Sequence, residues 1–455
     1  MIPRPRSSGG SDISGETSER ASRPIARTFA EETPAPEKIL IQAINYAPEL
    51  IGCGKYTTEL ARYLRSRGHE IEVVTAPPHY PGWYVRRPYR GSSYCSETLD
   101  DIRVTRCPMA TKAGGPGLWR FLAPLSYAIT ASPAVIWRIF RFRPAIVLCV
   151  EPTLFAAPVA ALAAKFVGAR AVLHVQDLEV DAAFGVGHLK GRQLKRLAFL
   201  LERVMLGLFD RFVTISRKMR GALIAKGLEP GRVEVLRNWV DLSVISPRER
   251  EGNPFRAQLG LADDVFVALY SGHIGAKQAL PVVLEAARAL RERDDIRFVI
   301  AGAGPMKQRV MELSADLPNV LHLPLQPTEQ LNDLLGLADL HLLPQDRGAA
   351  DLVLPSKLGG MLASGRPIAA TVDPGTELSD ILMDIALLSP AGDGGALAGA
   401  VAQAKAQAQD MSERVARGLR LAESLSSARI LPLFEQALLE ERVNSAEIPV
   451  ANEAA

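Results

Sequence analysis

Two turns of the sequence carry glycine and lysine residues that could hold a phosphorylated ligand. Gly52 and Gly54 stand directly before a predicted helix, where small residues let free backbone N–H groups approach a phosphate. Gly272 and Lys277 follow a predicted strand, which puts a cation near the start of the next helix. Each turn alone is equally consistent with a tight turn or a surface lysine. Together they predict a phosphate-binding site.

A third turn, Ser356-Lys357, adds a hydroxyl group and a second lysine. Pro355 directly before them favours the first turn of a helix, so both side chains fall near a helix N-terminus. A cation at that end is unfavourable for the helix dipole, and an anionic partner would explain its position. We therefore interpret the three turns as parts of a site for a diphosphate.

The residues argue against a nicotinamide-dinucleotide site. Such a site requires G-x-G-x-x-G after the first strand and an acidic residue at the end of the second strand. The first turn has Thr57 at the third glycine position, and the second predicted strand ends in Thr75 without a carboxylate. Gly302 and Gly304 begin another turn, but a third glycine is missing there too.

A polar segment follows another predicted strand and contains His174, Asp177, Glu179 and Asp181. Ligands of open α/β sheets bind at the carboxyl ends of the strands, so these side chains are expected at the edge of a cleft. One histidine with three carboxylates could hold a metal ion, but no second histidine is close in sequence. We prefer a substrate-binding strand end and keep the metal site as the alternative.

These residues need a scaffold of alternating strands and helices. The first predicted strands are Lys38–Asn45 and Ile71–Thr75. The others are Ala145–Val150, Ala171–Val175, Arg211–Ile215, Phe266–Ser271, Ile296–Ala301, Val320–Leu323, Leu340–Leu343, Pro367–Thr371 and Ala386–Leu388. Apolar strands alternating with helices imply parallel sheets that are covered on both faces. We predict two doubly wound, Rossmann-like α/β domains that face each other across a cleft.

Composition and motif positions divide the chain into four parts. Residues 1–37 are polar, have no apolar segment typical of a signal peptide and are predicted to be a disordered tail. We assign residues 38–235 to an N-terminal domain, 236–430 to a C-terminal domain, and 431–455 to a helix end and tail. The four cysteines form no C-x-x-C motif, which favours a reducing compartment.

Charge is distributed unevenly over the 455 residues, although the net charge is only +3. Residues 38–230 carry 27 Lys and Arg against 14 Asp and Glu, a net of +13, whereas residues 231–455 carry a net of −9. A basic lobe favours an anionic membrane or a phosphorylated ligand over nucleic acid, with an ordinary solvated surface as the alternative.

The segment 118–143 lies in this basic lobe and combines six aromatic residues with four arginines. This composition suits a segment that lies in a membrane interface, and equally a helical hairpin whose aromatic residues face the core. No stretch of the sequence has the about 20 predominantly apolar residues that a spanning helix needs.

Five blocks of sequence, in order, resemble the family 4 glycosyltransferases of the GT-B fold: residues 44–57, 75–81, 174–181, 270–278 and 348–358. The resemblance covers about residues 38 to 430. It implies that the N-terminal domain (38–235) binds the acceptor and that the C-terminal domain (236–430) binds the nucleotide sugar. It implies retaining transfer of a sugar from a nucleotide sugar (GDP-fucose or a similar donor) without a metal or other cofactor. The acceptor implied is a growing, lipid-linked exopolysaccharide repeat unit. The expected location is the cytoplasmic face of the membrane, with peripheral contact through the basic N-terminal domain.

The resemblance also implies residue roles. The catalytic residues would be His174, which meets the donor sugar, together with Lys277 and Lys357 on the diphosphate. The donor-binding set would be Gly272, Lys277, Gly302, Gly304, Asp351, Ser356 and Lys357. The acceptor-binding set would be Gly52, Gly54, Tyr56 and Asp177.

One position departs from the family pattern. Many members carry two glutamates eight residues apart, and the second holds the donor ribose, but Gly360 stands at that second position here. Leu352, next to Asp351, corresponds to the first. A catalytically inactive scaffold subunit of a polysaccharide assembly is therefore the alternative function, although Lys277 and Lys357 argue for a transferase.

Overall fold

The computed structural model describes residues 35–49, 52–79, 82–85, 87–89, 93–112, 119–152, 154–178, 181, 192–347 and 354–440. From Pro36 onward they form one compact unit that contains two sheets, one in each lobe. Most of the two predicted tails lies outside the described residues.

The sheet of the first lobe has eight described strands. They are β1 (Lys38–Ala43), β2 (Glu70–Thr75), β3 (Cys95–Leu99), β4 (Ile102–Arg106), β5 (Ile146–Val150), β6 (Arg170–Val175), β7 (Arg211–Thr214) and β8 (Val233–Val235). Their order is β3-β4-β2-β1-β5-β6-β7-β8, parallel except for the antiparallel pair β3 and β4. Sequence analysis missed β3, β4 and β8, because β3 is a polar, largely exposed edge strand and β8 has only three residues.

Helices cover both faces of this sheet. On one face lie α2 (Trp119–Phe142), α3 (Ala157–Val167), α4 (Arg192–Leu206) and α5 (Arg217–Ala225), whose buried residues share one core cluster. On the other face lies α1 (Cys53–Ser66), which buries Tyr56, Leu60 and Leu64 at intervals of four residues. This spacing puts the three side chains on one side of a helix.

Helix α2 contains most of the aromatic and arginine-rich segment. It is one continuous helix with two internal prolines, so the predicted helical hairpin is wrong. One side of α2 is buried through Tyr127, Ala131 and Val135, whereas Ile129 and Trp137 on other sides are exposed. None of the described helices is long and apolar enough to cross a bilayer.

The sheet of the second lobe is entirely parallel in its described part. Its strands are β9 (Phe266–His273), β10 (Ile296–Ala303), β11 (Val320–Leu323), β12 (Leu340–Pro344), β13 (Ile368–Thr371) and β14 (Leu387–Ser389), in the order β11-β10-β9-β12-β13-β14. Its helices are α6 (Pro254–Gln258), α7 (Leu280–Ala289), α8 (Lys307–Leu313), α9 (Leu331–Gly336), α10 (Leu358–Ala363), α11 (Glu377–Leu382), α12 (Gly394–Ala406) and α13 (Ala408–Ser424).

The last described helix, α14 (Ser427–Leu439), returns to the first lobe. Its residues Ile430, Phe434 and Leu438 join the same core cluster as α1. Glu435 of α14 accepts hydrogen bonds at 2.9 Å from the Tyr63 hydroxyl and from His69 Nε2. Both faces of the first sheet are therefore covered only when α14 is in place.

Candidate active site

A cavity of about 240 Å³ lies between the lobes, at the carboxyl ends of β9 and β10. Among the described residues, α1 and the glycine before it contribute Gly52, Lys55, Tyr56 and Glu59. The second lobe contributes Ser271, Gly272, Gly302, Gln326, Ser356, Lys357 and Gly360, together with several leucines. The structure therefore brings six predicted donor- or acceptor-site residues to one cavity: Gly52, Tyr56, Gly272, Gly302, Ser356 and Lys357.

Gly272 and Gly302 form one wall of the cavity, where they pair on the adjacent strands β9 and β10. A Cβ atom on Gly302 would lie 1.9 Å from the carbonyl oxygen of Gly272, so no larger residue fits there. A Cβ atom on Gly272 would lie 3.5 Å from Cδ of Lys357. The lysine side chain thus packs across the glycine wall. Gly304, also predicted, is not among the described lining residues.

Lys357 precedes α10 and points its ammonium group at the face of Tyr270, with Nζ 3.8 Å from the ring centroid. Nζ is buried and has no hydrogen-bond partner within the described part of the chain. Burial lowers the pKa of Lys357 to about 7. A buried nitrogen without a partner leaves part of its hydrogen-bonding capacity unused, which an anion in the cavity would satisfy.

Lys277 and Asp177 meet across the two lobes, although neither is among the described lining residues. Lys277 Nζ lies 3.7 Å from Asp177 Oδ2, and each side chain is about one-third exposed. Burial raises the pKa of the Asp177 carboxyl, and the neighbouring Lys277 opposes that shift. The structure therefore joins a predicted acceptor residue to a predicted donor residue.

The glycine turn before α1 is shaped by the preceding loop. A Cβ atom on Gly54 would lie 2.6 Å from the carbonyl oxygen of Glu49, so the helix can begin this close to the loop only with glycine there. Tyr56, predicted to bind the acceptor, is buried, and its hydroxyl donates a 3.1 Å hydrogen bond to the carbonyl oxygen of Ser356 in the second lobe. Tyr56 therefore joins the two lobes.

His174 lies in the interior of the first lobe. Its ring packs edge-on against Phe434 of α14, with the ring centroids 4.9 Å apart. Burial lowers the pKa of His174 to about 3, so the ring is neutral at physiological pH. His174 is not among the described lining residues of the cavity. The role predicted for it in binding the donor sugar remains a prediction.

Sequence analysis missed several polar side chains of the cavity, among them Lys55, Glu59 and Trp239. The indole N–H of Trp239 donates a 2.7 Å hydrogen bond to Glu59 Oε2. Lys55 and Glu59 are four residues apart on α1, directly after the glycine turn. That spacing puts both side chains on one side of the helix, and it was the feature of the sequence that could have identified them.

Gly360 also lines the cavity, and a Cβ atom there would lie 3.4 Å from Cδ1 of Leu335. The departure from the family pattern therefore falls on the cavity wall. Asp351, Leu352 and Glu179 lie outside the described residues. Within the described part of the chain, no three His, Cys, Asp or Glu side chains form a group that could hold a metal ion.

Two family profiles match the chain. The Glycosyl transferase 4-like domain matches residues 52–239, and the Glycosyl transferases group 1 domain matches residues 265–406. WcaI of Escherichia coli (strain K12), provisionally named a colanic acid biosynthesis glycosyl transferase, is 41% identical over 351 residues, which cover 76% of this chain and 85% of WcaI. The chain belongs to this glycosyltransferase family.

Two further matches, one in sequence and one in structure, have lower identity. The D-inositol 3-phosphate glycosyltransferase of Salinispora arenicola (strain CNS-205) is 30% identical over 200 residues, 38% of this chain and 44% of the relative. Sucrose-phosphate synthase from Thermosynechococcus elongatus matches in structure with a TM-score of 0.67 and 15% identity, over 88% of this chain and 98% of the synthase.

HepE of Anabaena, solved with UDP-glucose, has a TM-score of 0.65 at 14% identity, over 88% of this chain and 99% of HepE. At such low identity, these likenesses establish the fold alone. The glycosyltransferase has the GT-B fold, with two parallel-sheet α/β domains, as predicted.

Proposed function

We propose that this glycosyltransferase moves a sugar, with retention of configuration, from GDP-fucose or a similar nucleotide sugar to a lipid-linked exopolysaccharide repeat unit. The donor half of this proposal rests on Lys357 Nζ, which is buried beside Gly272 without a hydrogen-bond partner among the described residues. A diphosphate in the cavity would give that ammonium group a charged partner. The name of WcaI, which places that protein in colanic acid biosynthesis, supports the acceptor half.

The proposed reaction needs no metal ion and no protein nucleophile. The acceptor hydroxyl attacks the anomeric carbon from the face that the diphosphate leaves. The new C–O bond forms as the bond to the diphosphate breaks, and the acceptor proton passes to a departing phosphate oxygen. Lys277 and Lys357 stabilise the negative charge that grows on the diphosphate. Holding the two substrates in this geometry supplies the rest of the acceleration.

Other predicted residues have positioning roles in this proposal. His174 would hold the donor sugar through Nε2, which has no hydrogen-bond partner in the described part of the chain. Asp177 would bind an acceptor hydroxyl through Oδ1, which is also buried without a partner there. Both atoms come from the end of β6 and the turn after it, on the lobe that we assign to the acceptor.

We further propose that the first lobe lies on the cytoplasmic face of the cell membrane, where a lipid-linked acceptor is embedded. The outer sides of α2, α3 and α4 support this contact, and we refer to them as the outer helix surface. The three helices connect β4, β5, β6 and β7 in succession and pack on the same face of the sheet, where α2 and α3 contact each other.

The outer helix surface is strongly apolar. Its exposed large side chains include Ile129, Trp137, Phe140, Leu162, Phe166, Leu197, Leu200 and Val204. Phe166 is 81% exposed and Ile129 is 68% exposed. Exposed apolar side chains in this number typically mark a contact with a membrane or another protein.

The charge of the outer helix surface distinguishes these two partners. Among the side chains that the structure describes, its exposed cations are Arg141, Lys165, Arg196 and Arg203, and Arg143 directly follows α2. Helices α2 and α3 contain no acidic residue, and Glu202, the one carboxylate of α4, is buried and pairs with Lys226. Apolar anchors surrounded by cations without competing carboxylates match the interface of an anionic bilayer.

The donor half is tested by thermal shift with a panel of GDP- and UDP-sugars, followed by an assay for slow hydrolysis of any sugar that binds. We expect at least one nucleotide sugar to raise the melting temperature and to be hydrolysed or transferred. Activity should be unchanged by EDTA. Loss of turnover on chelation, restored by a divalent cation, would contradict the metal-independent mechanism.

The inactive scaffold is the second candidate, because Gly360 leaves the cavity wall without the carboxylate that many family members have. The same panel separates the two functions. A scaffold would bind a nucleotide sugar and release no nucleoside diphosphate even after long incubation with acceptor lipids. An active transferase would release it slowly even with water as the acceptor.

A further inference from the structure

Lys55 is a cation that the first lobe brings to the wall of the donor cavity. It lies in the first turn of α1, and its side chain is about one-third exposed. The cations among the described lining residues are Lys55 and Lys357. Lys277 is not among them and points towards Asp177 instead. One cation of the cavity therefore comes from each lobe.

The position of Lys55 is unfavourable for the helix itself. The first turn of α1 contains no acidic residue, and Gly52 offers no side chain to cap the helix N-terminus. The positive end of the helix dipole and the ammonium group therefore repel each other. Both would be stabilised by an anion in the cavity that the helix faces.

The carboxylate closest to Lys55 neutralises it only weakly. Glu59 Oε1 lies 3.8 Å from Lys55 Nζ, which is beyond hydrogen-bonding distance, and Oε2 already accepts the hydrogen bond from Trp239. A lysine four residues before a glutamate is also the weaker orientation of such a helix pair. The ammonium group is consequently available to a ligand.

The next residue joins this turn to the predicted diphosphate site. The Tyr56 hydroxyl donates its 3.1 Å hydrogen bond to the carbonyl oxygen of Ser356, the residue directly before Lys357. The first turn of α1 is thereby held against the turn that carries the second cation of the cavity.

We propose that Lys55 binds the distal phosphate of the nucleotide diphosphate, the one attached to the sugar, from the acceptor lobe. The proposal rests on the proposed function, since it takes the donor to be a nucleotide sugar. Charge on the diphosphate is then balanced by both lobes. The contact strengthens as the sugar leaves, because the distal phosphate gains negative charge when its bond to the sugar breaks.

Calorimetric titration with GDP, UDP and the two corresponding monophosphates tests this contact, since the monophosphates lack the distal phosphate. In Lys55→Ala we expect affinity for the diphosphate to fall about tenfold, in the range for a lost hydrogen bond to a charged group. Monophosphate affinity should be unchanged. Lys55→Arg should retain most diphosphate affinity.

Arg65→Ala is the matched control, because it removes the same charge from the same helix about 15 Å away. It should leave both affinities unchanged. Lys55→Ala with wild-type diphosphate affinity, or with equal losses for diphosphate and monophosphate, would overturn the role of Lys55 alone. A wild-type protein that binds neither diphosphate would instead overturn the proposed function, and this inference with it.

Discussion

The ammonium group of Lys357 is buried against the ring of Tyr270, and burial lowers its pKa to about 7. A bound diphosphate should raise that pKa again, because an adjacent negative charge favours the ammonium form. Ligand binding should therefore be accompanied by proton uptake near neutral pH. The lysine thus couples donor binding to pH.

We expect affinity for a nucleotide sugar to be full below about pH 7 and to fall by up to tenfold per pH unit above it, until the pH reaches the pKa of the complex. Calorimetry in buffers of different ionisation enthalpy measures both affinity and proton uptake. Lys357→Arg should abolish the pH dependence, because arginine stays protonated. A pH-independent wild-type affinity would contradict the assignment.

Turnover provides a second test at the residue scale. Lys277→Ala and Lys357→Ala should each slow transfer by about 10²–10³, the typical effect of losing one group that stabilises developing charge. Circular dichroism should show an intact fold in both variants, since neither side chain is part of a hydrophobic core. Near-normal rates with a good donor would mean that these lysines do not contact the diphosphate.

At the scale of elements, the pairing of β9 with β10 depends on Gly302. A methyl group there would lie 1.9 Å from the Gly272 carbonyl oxygen, so the two strands would have to separate. We expect Gly302→Ala to lower the free energy of unfolding by about 3 kcal/mol and to weaken donor binding.

Gly399→Ala is the control for that variant. Gly399 lies within α12 with no heavy atom in contact range of a Cβ, so alanine should stabilise the helix by about 0.5–1 kcal/mol. Chemical denaturation measures both changes. Equal stability of the two variants would show that the glycine wall tolerates a side chain.

The predictable elements were those with a local pattern. Apolar runs such as Ile296–Ala301 predicted the buried parallel strands, and the glycine turns predicted one wall of the cavity. The polar edge strand β3 has no such pattern, since its exposure depends on its place in the sheet. The packing of His174 on Phe434 joins residues 260 positions apart, which no local pattern predicts. Lys55 was missed because its significance depends on Ser356 and Lys357, which lie in the opposite lobe about 300 positions away in sequence.

At the scale of the whole molecule, the outer helix surface should bind anionic vesicles. Co-sedimentation at 0.1 M salt should recover the protein with vesicles that contain anionic lipid and not with neutral ones. Binding should weaken towards 1 M salt, as the screening length falls from about 10 Å to about 3 Å. Each surface-adjacent cation contributes about 1 kcal/mol to such binding.

Trp137→Ser with Phe166→Ser should reduce vesicle binding without lowering the melting temperature, because both side chains are exposed. Met383→Ser, which changes an exposed apolar residue of the second lobe, is the control and should leave vesicle binding unchanged. Negligible sedimentation under all conditions, with dimers detected by light scattering, would assign the surface to a second copy of the chain.

The return of α14 to the first lobe affects how the protein folds during synthesis and whether its lobes can be prepared separately. The first lobe is built from two segments of the chain that are separated by the whole second lobe, so it is completed only when α14 has left the ribosome. Until then, the apolar face that α14 covers is open to other nascent chains. A chain that ends before Ser427 would keep its cavity residues and still expose the surroundings of His174. We expect such truncated chains to aggregate, and neither lobe to be obtainable by cutting the chain once.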